Sequence, residues 1–392
     1  MLLFGALAVV VRSTLARDTT GAAEAADAAT TPVVRSKLPD WRAPGGRFAV
    51  TGFAGPSETV VLRANGRILA TGRTGKLGRF VLQARAPAAS ARLTVSTAQR
   101  RVTVGRLAVR PVVLAAVGDV TPGESVGPTV LERGAAYPWG EVGPILRGAD
   151  IATANLEGAI STRGSAVPNK EFHFRGPRTL LTGAARDGGI DLVTLANNHV
   201  MDYGAEALAD TVSAARASGI ATVGAGATEA AAERPAFIDA GGLRIAFLGW
   251  SDVNPAGFNA TTATPGTAKA DVDAIGRGVR AARRRADLVV CWFHWGVELH
   301  ATPDERQRGF ADACVRSGAK LVLGAHPHVL GAVERFPGRS LVAWTLGNFV
   351  FPAGQSATVA TAILRVRLSA AGVAGFTLTP AAAGVRPTLV SR

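Results

Sequence analysis

The chain has 392 residues, 47% of them hydrophobic and 18% charged, which excludes a wholly disordered protein and leaves room for one large domain and a smaller module. The formal net charge of +14 favours polyanionic partners, with an arginine-rich background as the alternative explanation. No specific nucleic-acid partner is expected, because no recognisable nucleic-acid-binding pattern is present and the arginines are scattered apart from Arg283, Arg284 and Arg285.

The first predicted element is an apolar stretch from Leu2 to Val11. About ten residues are too few to cross a bilayer core, which needs about twenty. The stretch has the length of the apolar region of a signal peptide, but no lysine or arginine precedes it, so a truncated or misplaced start is the alternative. Residues 13–39 indicate a disordered linker. We therefore expect a signal segment and linker over residues 1–39, and an extracytoplasmic protein that is secreted or membrane-associated.

Residues 40–109 contain short alternating runs such as RFAVTGFAG and ARLTVSTAQ, separated by Gly, Pro and Asn. Asn65-Gly66, between two β-rich runs, is a strong signal for a two-residue hairpin. Strands at this spacing predict a small all-β sandwich resembling an immunoglobulin module. All six histidines come later in the chain, which favours a spacer or adhesion role for this module.

Residues 110–392 show the pattern of an α/β domain. Apolar runs of strand length, including PVVLAAVGD, IDLVTLANNH, ADLVVCWFHWG and AKLVLGAHPH, alternate with Ala-rich segments. The runs indicate one largely buried sheet, and residues 357–380 predict a closing hairpin. The predicted crossover helices are Ala205–Ser218, Val272–Arg285 and Asp304–Ser317.

Seven of the strand-like runs end in polar or metal-capable side chains. Because the carboxyl ends of parallel strands meet at one edge of a sheet, we expect these side chains to converge over a common sheet. Imidazole, carboxylate and amide oxygen suit Zn, Mn or Fe, whereas a Ca site contains only oxygen ligands. Singly, such residues serve as helix caps or turn formers, so only the set indicates function. The residues are Asp119, Asn155, Glu157, Asn198, His199, Asp252, His294, His326, His328 and Asn348.

Six motifs in this domain carry a resemblance to a known family: VGDVTPG, TANLEGAI, LANNHVMDYG, FHWGVE, GAHPHVL and TLGNFVF. In type and order they resemble the motifs of the poly-γ-glutamate capsule biosynthesis (CapA) family, whose domain is similar to calcineurin-like metallophosphoesterases. The resemblance covers roughly Val112 to Pro380 and leaves the predicted sandwich outside. It implies a metallophosphoesterase-like layered α/β domain with one or two divalent ions, which would be Mn, Zn or Fe.

Carried over position by position, the resemblance implies metal ligands and catalytic residues. His199 is expected to act as a general acid oriented by Asp202, although a helix-start role for Asp202 is the alternative. His294 is the third catalytic candidate. The implied metal ligands are Asp119, Glu157, Asn198, His199, His294, His326 and His328. The candidates for contact with an anionic substrate are Asn155, Lys170, Arg175 and Asn348.

The chain departs from the phosphoesterase pattern in two places. Asp119 is followed by Val120 and Thr121 where that pattern has Asp-x-His, and NLE stands where Gly-Asp-x-x-Asp is expected. A single-ion site is therefore the alternative to a two-metal centre. The expected function is synthesis or export of poly-γ-glutamate or a related anionic envelope polymer by a metal-dependent hydrolase or transferase, together with a membrane-bound synthase or export complex. The alternatives are a polymer-binding accessory without turnover and a general phosphoesterase.

Overall fold

The computed structural model describes residues 31–352 and 356–390, without the side chains of residues 356 and 357. The predicted signal segment and most of the predicted linker lie outside the described residues. The chain divides into two compact units. In the described part, the smaller unit contains residues 31–39, Ala49–Ala84 and Ala91–Leu107, and the larger contains Asp40–Phe48, Arg85–Ser90 and the chain from Ala108 onward. Among the described residues, no helix is both long and apolar enough to cross a membrane.

The N-terminal β-rich part contains the strands β1 (Val33–Val34), β2 (Trp41–Arg42), β3 (Arg47–Phe53), β4 (Thr59–Ala64), β5 (Arg67–Arg73), β6 (Arg79–Arg85), β7 (Ala91–Ser96) and β8 (Arg101–Val109). They form two sheets, of order β1-β3-β6 and β2-β8-β7-β4-β5. Buried and exposed side chains alternate along β6, as expected for a strand with one face against a core. The Asn65-Gly66 hairpin is confirmed, since β4 and β5 pair antiparallel and both turn residues have positive φ. Strand β1 lies within residues 13–39, for which a disordered linker was predicted, and it pairs with β3.

The strands of the larger unit are β9 (Val112–Val120), β10 (Ile151–Leu156), β11 (Ala159–Ile160), β12 (Arg175–Gly176), β13 (Leu192–Thr194), β14 (Ala221–Val223), β15 (Ala225–Gly226), β16 (Ala236–Ala240), β17 (Leu243–Ser251), β18 (Gly266–Thr267), β19 (Leu288–His294), β20 (Leu321–Ala325), β21 (Val333–Phe336), β22 (Ser340–Ala343), β23 (Asn348–Val350), β24 (Ala360–Ser369), β25 (Gly372–Ala382) and β26 (Thr388–Leu389). The helices are α1 (Val126–Arg133), α2 (Gly143–Arg147), α3 (Arg178–Gly183), α4 (Gly204–Ala217), α5 (Glu229–Ala232), α6 (Val272–Arg283), α7 (Glu305–Ser317) and α8 (Ser356–Val359). A 3-10 helix at Tyr137–Trp139 and a π-helix at Ala184–Gly188 complete the set.

Two large sheets organise the larger unit. The first has the order β14-β13-β10-β9-β24-β25-β26, with β23 also paired to β9. The second has the order β16-β17-β19-β20-β22-β21, and its four central strands are parallel. The predicted C-terminal hairpin is confirmed in β24 and β25. The prediction of one common sheet was wrong. A strand that is buried on both faces has the same apolar run whichever sheet it joins, so the sequence pattern could not distinguish one sheet from two.

The two sheets pack face to face between two layers of helices. Leu114 and Ile151 of the first sheet share a buried cluster with Phe247 and Trp292 of the second. Residues of α1, α3 and α4 cover the outer face of the first sheet, and residues of α6 and α7 cover that of the second. Helices α4, α6 and α7 are the predicted crossovers, within two residues of the expected bounds. The domain is therefore a layered α/β fold, as predicted.

Candidate metal centre

Polar side chains from both sheets meet where the parallel strands end. Asp119 is the second-last residue of β9, Asn155 lies near the end of β10, and Glu157 directly follows β10. In the second sheet, His294 is the last residue of β19. Asn155 links the two sheets, since its Nδ2 donates to Asp119 Oδ1 at 2.8 Å and lies 3.3 Å from His294 Nδ1. The pocket therefore forms between the carboxyl ends of two sheets rather than over one.

Asp119, Glu157 and His294 form a fully buried group that suits a cation. One ligand atom from each residue lies within 4.8 Å of the other two. Two carboxylate oxygens, Asp119 Oδ2 and Glu157 Oε1, are buried without a hydrogen-bond partner in the described part of the chain. Since buried carboxylate oxygens are costly when unpaired, a divalent cation would satisfy both. Two carboxylates and an imidazole are donors that Zn, Mn and Fe accept.

Burial sets the protonation of this group. Burial, helped by the neighbouring Asp119 carboxylate, raises the pKa of Glu157 well above its usual value. Burial lowers the pKa of His294 well below its usual value, so its imidazole is neutral at pH 7, the form that binds metals. Burial alone would lower the pKa of His328, but the Glu157 and Asp119 carboxylates outweigh it and raise that pKa to about 10. A cation binding here must therefore displace protons.

An Asn-Asn-His turn after β13 brings a further amide and imidazole to the pocket. Asn198 Oδ1 lies 2.9 Å from His294 Nε2. Asn197, for which no role was predicted, positions the turn. Its Nδ2 donates to Asn155 Oδ1 at 3.0 Å, and its Oδ1 accepts from the backbone N of His199 at 3.1 Å. The two consecutive asparagines, Asn197 and Asn198, were the signal in the sequence that could have identified the role of Asn197. Asn197 thus positions residues that face the cation site.

His199 is held by an acidic and a basic partner. Its Nδ1 lies 2.8 Å from Asp202 Oδ2 and 2.8 Å from Lys170 Nζ, and Lys170 also pairs with Asp202. Asp202 Oδ2 accepts from the backbone N of Phe174, whose ring stacks on the imidazole at 4.1 Å. Burial lowers the pKa of His199, and Asp202 opposes that shift. Helix α4 begins only at Gly204 and has no side-chain cap, so Asp202 contacts His199 instead of capping the helix.

His326 and His328 follow β20 with an uncommon backbone. Their φ values are 99° and 59°, in the left-handed region that non-glycine residues rarely adopt. The ring centroids lie 6.0 Å apart, and the His326 ring is 4.8 Å from that of His294. His328 Nδ1 lies 2.8 Å from Asn348 Oδ1 and 3.5 Å from Asp119 Oδ2. The backbone thus directs both rings into the pocket.

Two glycines allow the strand ends to approach each other. A Cβ at Gly118, beside Asp119, would lie 1.8 Å from the carbonyl oxygen of Gly347. A Cβ at Gly324 would lie 2.0 Å from the carbonyl oxygen of Trp344. Because any side chain would collide with backbone there, glycine is required for β9 and β20 to carry their metal-capable residues to the same place.

Two predicted side chains have partners outside this cluster. The Arg175 guanidinium donates to the carbonyl oxygen of Arg163 and lies 3.7 Å from the ring of Tyr203. Asp252 pairs with Arg306 of α7. The structure thus joins the other predicted strand-end residues and Lys170 in one cluster, while the substrate contact predicted for Arg175 stays a prediction.

The fold and the pocket together define a class: a layered α/β protein with a buried carboxylate and imidazole site of the kind that holds divalent metal ions. Residues 113–353 match the model of the family described as bacterial capsule synthesis protein PGA_cap, and the chain belongs to this family. The resemblance to the CapA family in the sequence motifs is thereby confirmed.

Two curated relatives come from Bacillus. The chain is 33% identical over 266 residues to the PGA biosynthesis protein CapA of Bacillus subtilis (strain 168), covering 67% of this chain and 70% of the relative. It is 31% identical over 271 residues to the capsule biosynthesis protein CapA of Bacillus anthracis, covering 67% and 66%. A solved 5'-nucleotidase precursor from Thermus thermophilus is 16% identical with a TM-score of 0.43, over 71% of this chain and 54% of that one. That TM-score is too low to support a conclusion.

Proposed function

We propose that the chain is a metal-dependent hydrolase or transferase that acts, outside the cytoplasm, on poly-γ-glutamate or a related anionic capsule or envelope polymer. The observation that carries the proposal is a pair of buried oxygens, Asp119 Oδ2 and Glu157 Oε1, which have no hydrogen-bond partner in the described part of the chain and lie beside the imidazoles of His294 and His328. A bound divalent cation supplies a water of lowered pKa and polarises an acyl or phosphoryl oxygen. The residues that would hold one or two such ions are Asp119, Glu157, Asn198, His294, His326 and His328.

The relatives' names and the charge of the chain support an anionic polymer as substrate. The Bacillus relatives are named for PGA and capsule biosynthesis. Within the larger unit, the exposed Arg283, Arg284 and Arg285 line a recess of about 450 Å³ together with Arg47 and Arg85. This recess and the net charge of +14 would attract a polycarboxylate over long range. A membrane-bound synthase or export complex is the partner that we propose for such a polymer.

His199 is the residue that we propose moves a proton. Asp202 Oδ2 and Lys170 Nζ each lie 2.8 Å from its Nδ1, and Nε2 is the ring nitrogen that faces the pocket, 4.0 Å from Glu157 Oε1. The stacked Phe174 ring fixes the imidazole plane and excludes water from one face. We propose that Nε2 exchanges a proton with the leaving group, and that Lys170 keeps His199 in place while adding positive charge for an anionic substrate.

Replacing His199 with Asn is expected to lower turnover by about 10²–10⁴-fold while the bound metal is unchanged, because a positioned acid or base contributes about that much. Metal-loaded protein would be incubated with poly-γ-glutamate, γ-glutamyl peptides and phosphodiesters, and product formation and metal content measured for each variant. His300→Asn, at an exposed histidine, is the matched control and should behave as the unsubstituted protein. Loss of metal in His199→Asn would instead make His199 a ligand, and equal turnover would end its proposed role.

The same assay separates the alternatives. Polymer binding without turnover on any substrate, in protein that holds metal, would favour an accessory that carries polymer. Turnover of phosphodiesters alone would favour a general phosphoesterase. Polymer cleavage or transfer that disappears with chelator supports the proposed function.

A further inference from the structure

A second group of potential ligands includes Glu298, a residue to which sequence analysis assigned no role although it ends the motif FHWGVE. One atom each from Glu298, His326 and His328 lies within 4.8 Å of the other two. Glu298 is exposed, whereas His326 is only 6% exposed. The group therefore has two imidazoles at its base and one carboxylate at the mouth of the pocket.

The loop that carries Glu298 is hydrogen-bonded to the segment that carries the two histidines. The backbone N of Leu299 donates to the carbonyl oxygen of Pro327, which separates His326 from His328, at 2.8 Å. Leu299 has a φ of 62°, a left-handed value that a residue with a Cβ rarely adopts. The loop thus adopts an unfavourable backbone that sets Glu298 over the histidines. Strain of this kind persists only where the surrounding structure enforces it, and it clusters at ligand sites.

His326 supplies an independent sign of a missing ligand. Its Nδ1 is buried and has no hydrogen-bond partner among the described residues. A buried imidazole nitrogen that has no hydrogen-bond partner in the described part of the chain is a suitable metal donor, since coordination uses a free lone pair.

We infer that Glu298 is a metal ligand, which together with His326 and His328 holds a second divalent cation next to the one at Asp119 and Glu157. Two imidazoles and a carboxylate suit Zn, Mn or Fe. The two positions adjoin, because His328 Nε2 lies 3.9 Å from Glu157 Oε1. The inference rests on the proposed function only in taking the first position as a cation site. It favours the two-ion alternative over the single-ion site.

The test is metal stoichiometry and affinity in Glu298→Gln, which removes the charge and keeps the size. Protein stripped with chelator would be titrated with Zn²⁺ or Mn²⁺, and bound metal counted by mass spectrometry. The unsubstituted protein should take up two ions per chain. Glu298→Gln should keep one and bind the second at least about tenfold more weakly, since loss of a residue that merely orients a ligand already costs about 10–100-fold. Glu132→Gln, at a carboxylate with 74% side-chain exposure, should match the unsubstituted protein.

The outcomes separate this inference from the proposed function. Two ions with unchanged affinities in Glu298→Gln, or a single ion in the unsubstituted protein, would overturn the role of Glu298 and leave the proposed function standing. No ion in the unsubstituted protein would overturn both. Because Glu298 is exposed and on a loop, its substitution should leave the unfolding temperature of the metal-free protein unchanged, which keeps the comparison free of misfolding.

Discussion

Replacing His294 with Ala is expected to weaken metal binding by more than about 100-fold and to abolish metal-dependent turnover. His294 Nε2 lies 3.7 Å from Glu157 Oε1 and 2.9 Å from Asn198 Oδ1, so its loss removes the imidazole on which the other donors converge. Even a residue that only orients a ligand contributes about 10–100-fold to metal affinity. Calorimetric titration of chelator-stripped protein with Zn²⁺ measures the effect.

The control for this variant is His300→Ala, at an exposed histidine. It should bind metal as the unsubstituted protein does. Removal of the fully buried His294 ring leaves a cavity that lowers stability. Circular dichroism is therefore used to check that both variants are folded. Equal metal affinity in a folded His294→Ala protein would remove His294 from the site.

Metal removal is expected to lower the melting temperature by about 5–10 °C. Asp119 Oδ2 and Glu157 Oε1 are buried and have no hydrogen-bond partner among the described residues, so a bound cation would satisfy two oxygens that the metal-free fold leaves without a hydrogen bond. Free metal at 100 times its dissociation constant stabilises a fold by about 2.7 kcal/mol, and each kcal/mol shifts the melting temperature of a domain of 150–250 residues by about 2–4 °C. Calorimetry with Zn²⁺ and with excess chelator measures the shift. An equal shift in His294→Ala would place the responsible metal elsewhere.

The metal-induced shift should grow with pH. The pKa of Glu157 is raised well above its usual value and that of His328 is raised to about 10, so both groups hold protons more tightly than usual in the metal-free protein. A ligand must lose its proton to bind, so apparent affinity rises with pH, by about tenfold per unit for each displaced proton. The shift should therefore be larger at pH 8 than at pH 6, and a pH-independent shift would contradict these protonation states.

The strand-end positions of the proposed ligands could be predicted from sequence alone. Apolar runs that end in Asp119, His294 or His326 mark strands whose carboxyl ends carry polar groups, and this rule needs no knowledge of strand order. The division of the strands into two sheets could not be predicted. Val112–Val120 and Leu288–His294 are both buried along nearly their whole length, so their periodicity is the same whichever sheet they join.

The tertiary contacts of individual side chains could not be predicted from the sequence either. Asp252 ends a strand as expected, yet it pairs with Arg306, which is far along the chain. Arg175 lies in a polar motif near the site, yet its guanidinium stacks on Tyr203. Glu298 lies near His326 and His328, on a loop whose Leu299 N donates to the Pro327 carbonyl oxygen, and no local sequence pattern predicts that hydrogen bond. The sequence pattern predicts which helix, strand or loop carries a residue, whereas tertiary packing determines which other residues it contacts.

We propose that the two sheets bring Asp119, Glu157 and His294 around one divalent cation. Anomalous diffraction from crystals grown with Zn²⁺, collected on both sides of the zinc absorption edge, tests it most directly. We predict a strong peak at about 2.0–2.2 Å from a carboxylate oxygen of Glu157 and from a ring nitrogen of His294. A map whose zinc peaks all lie away from these residues, with the carboxylates bonded only to protein or water, would contradict it.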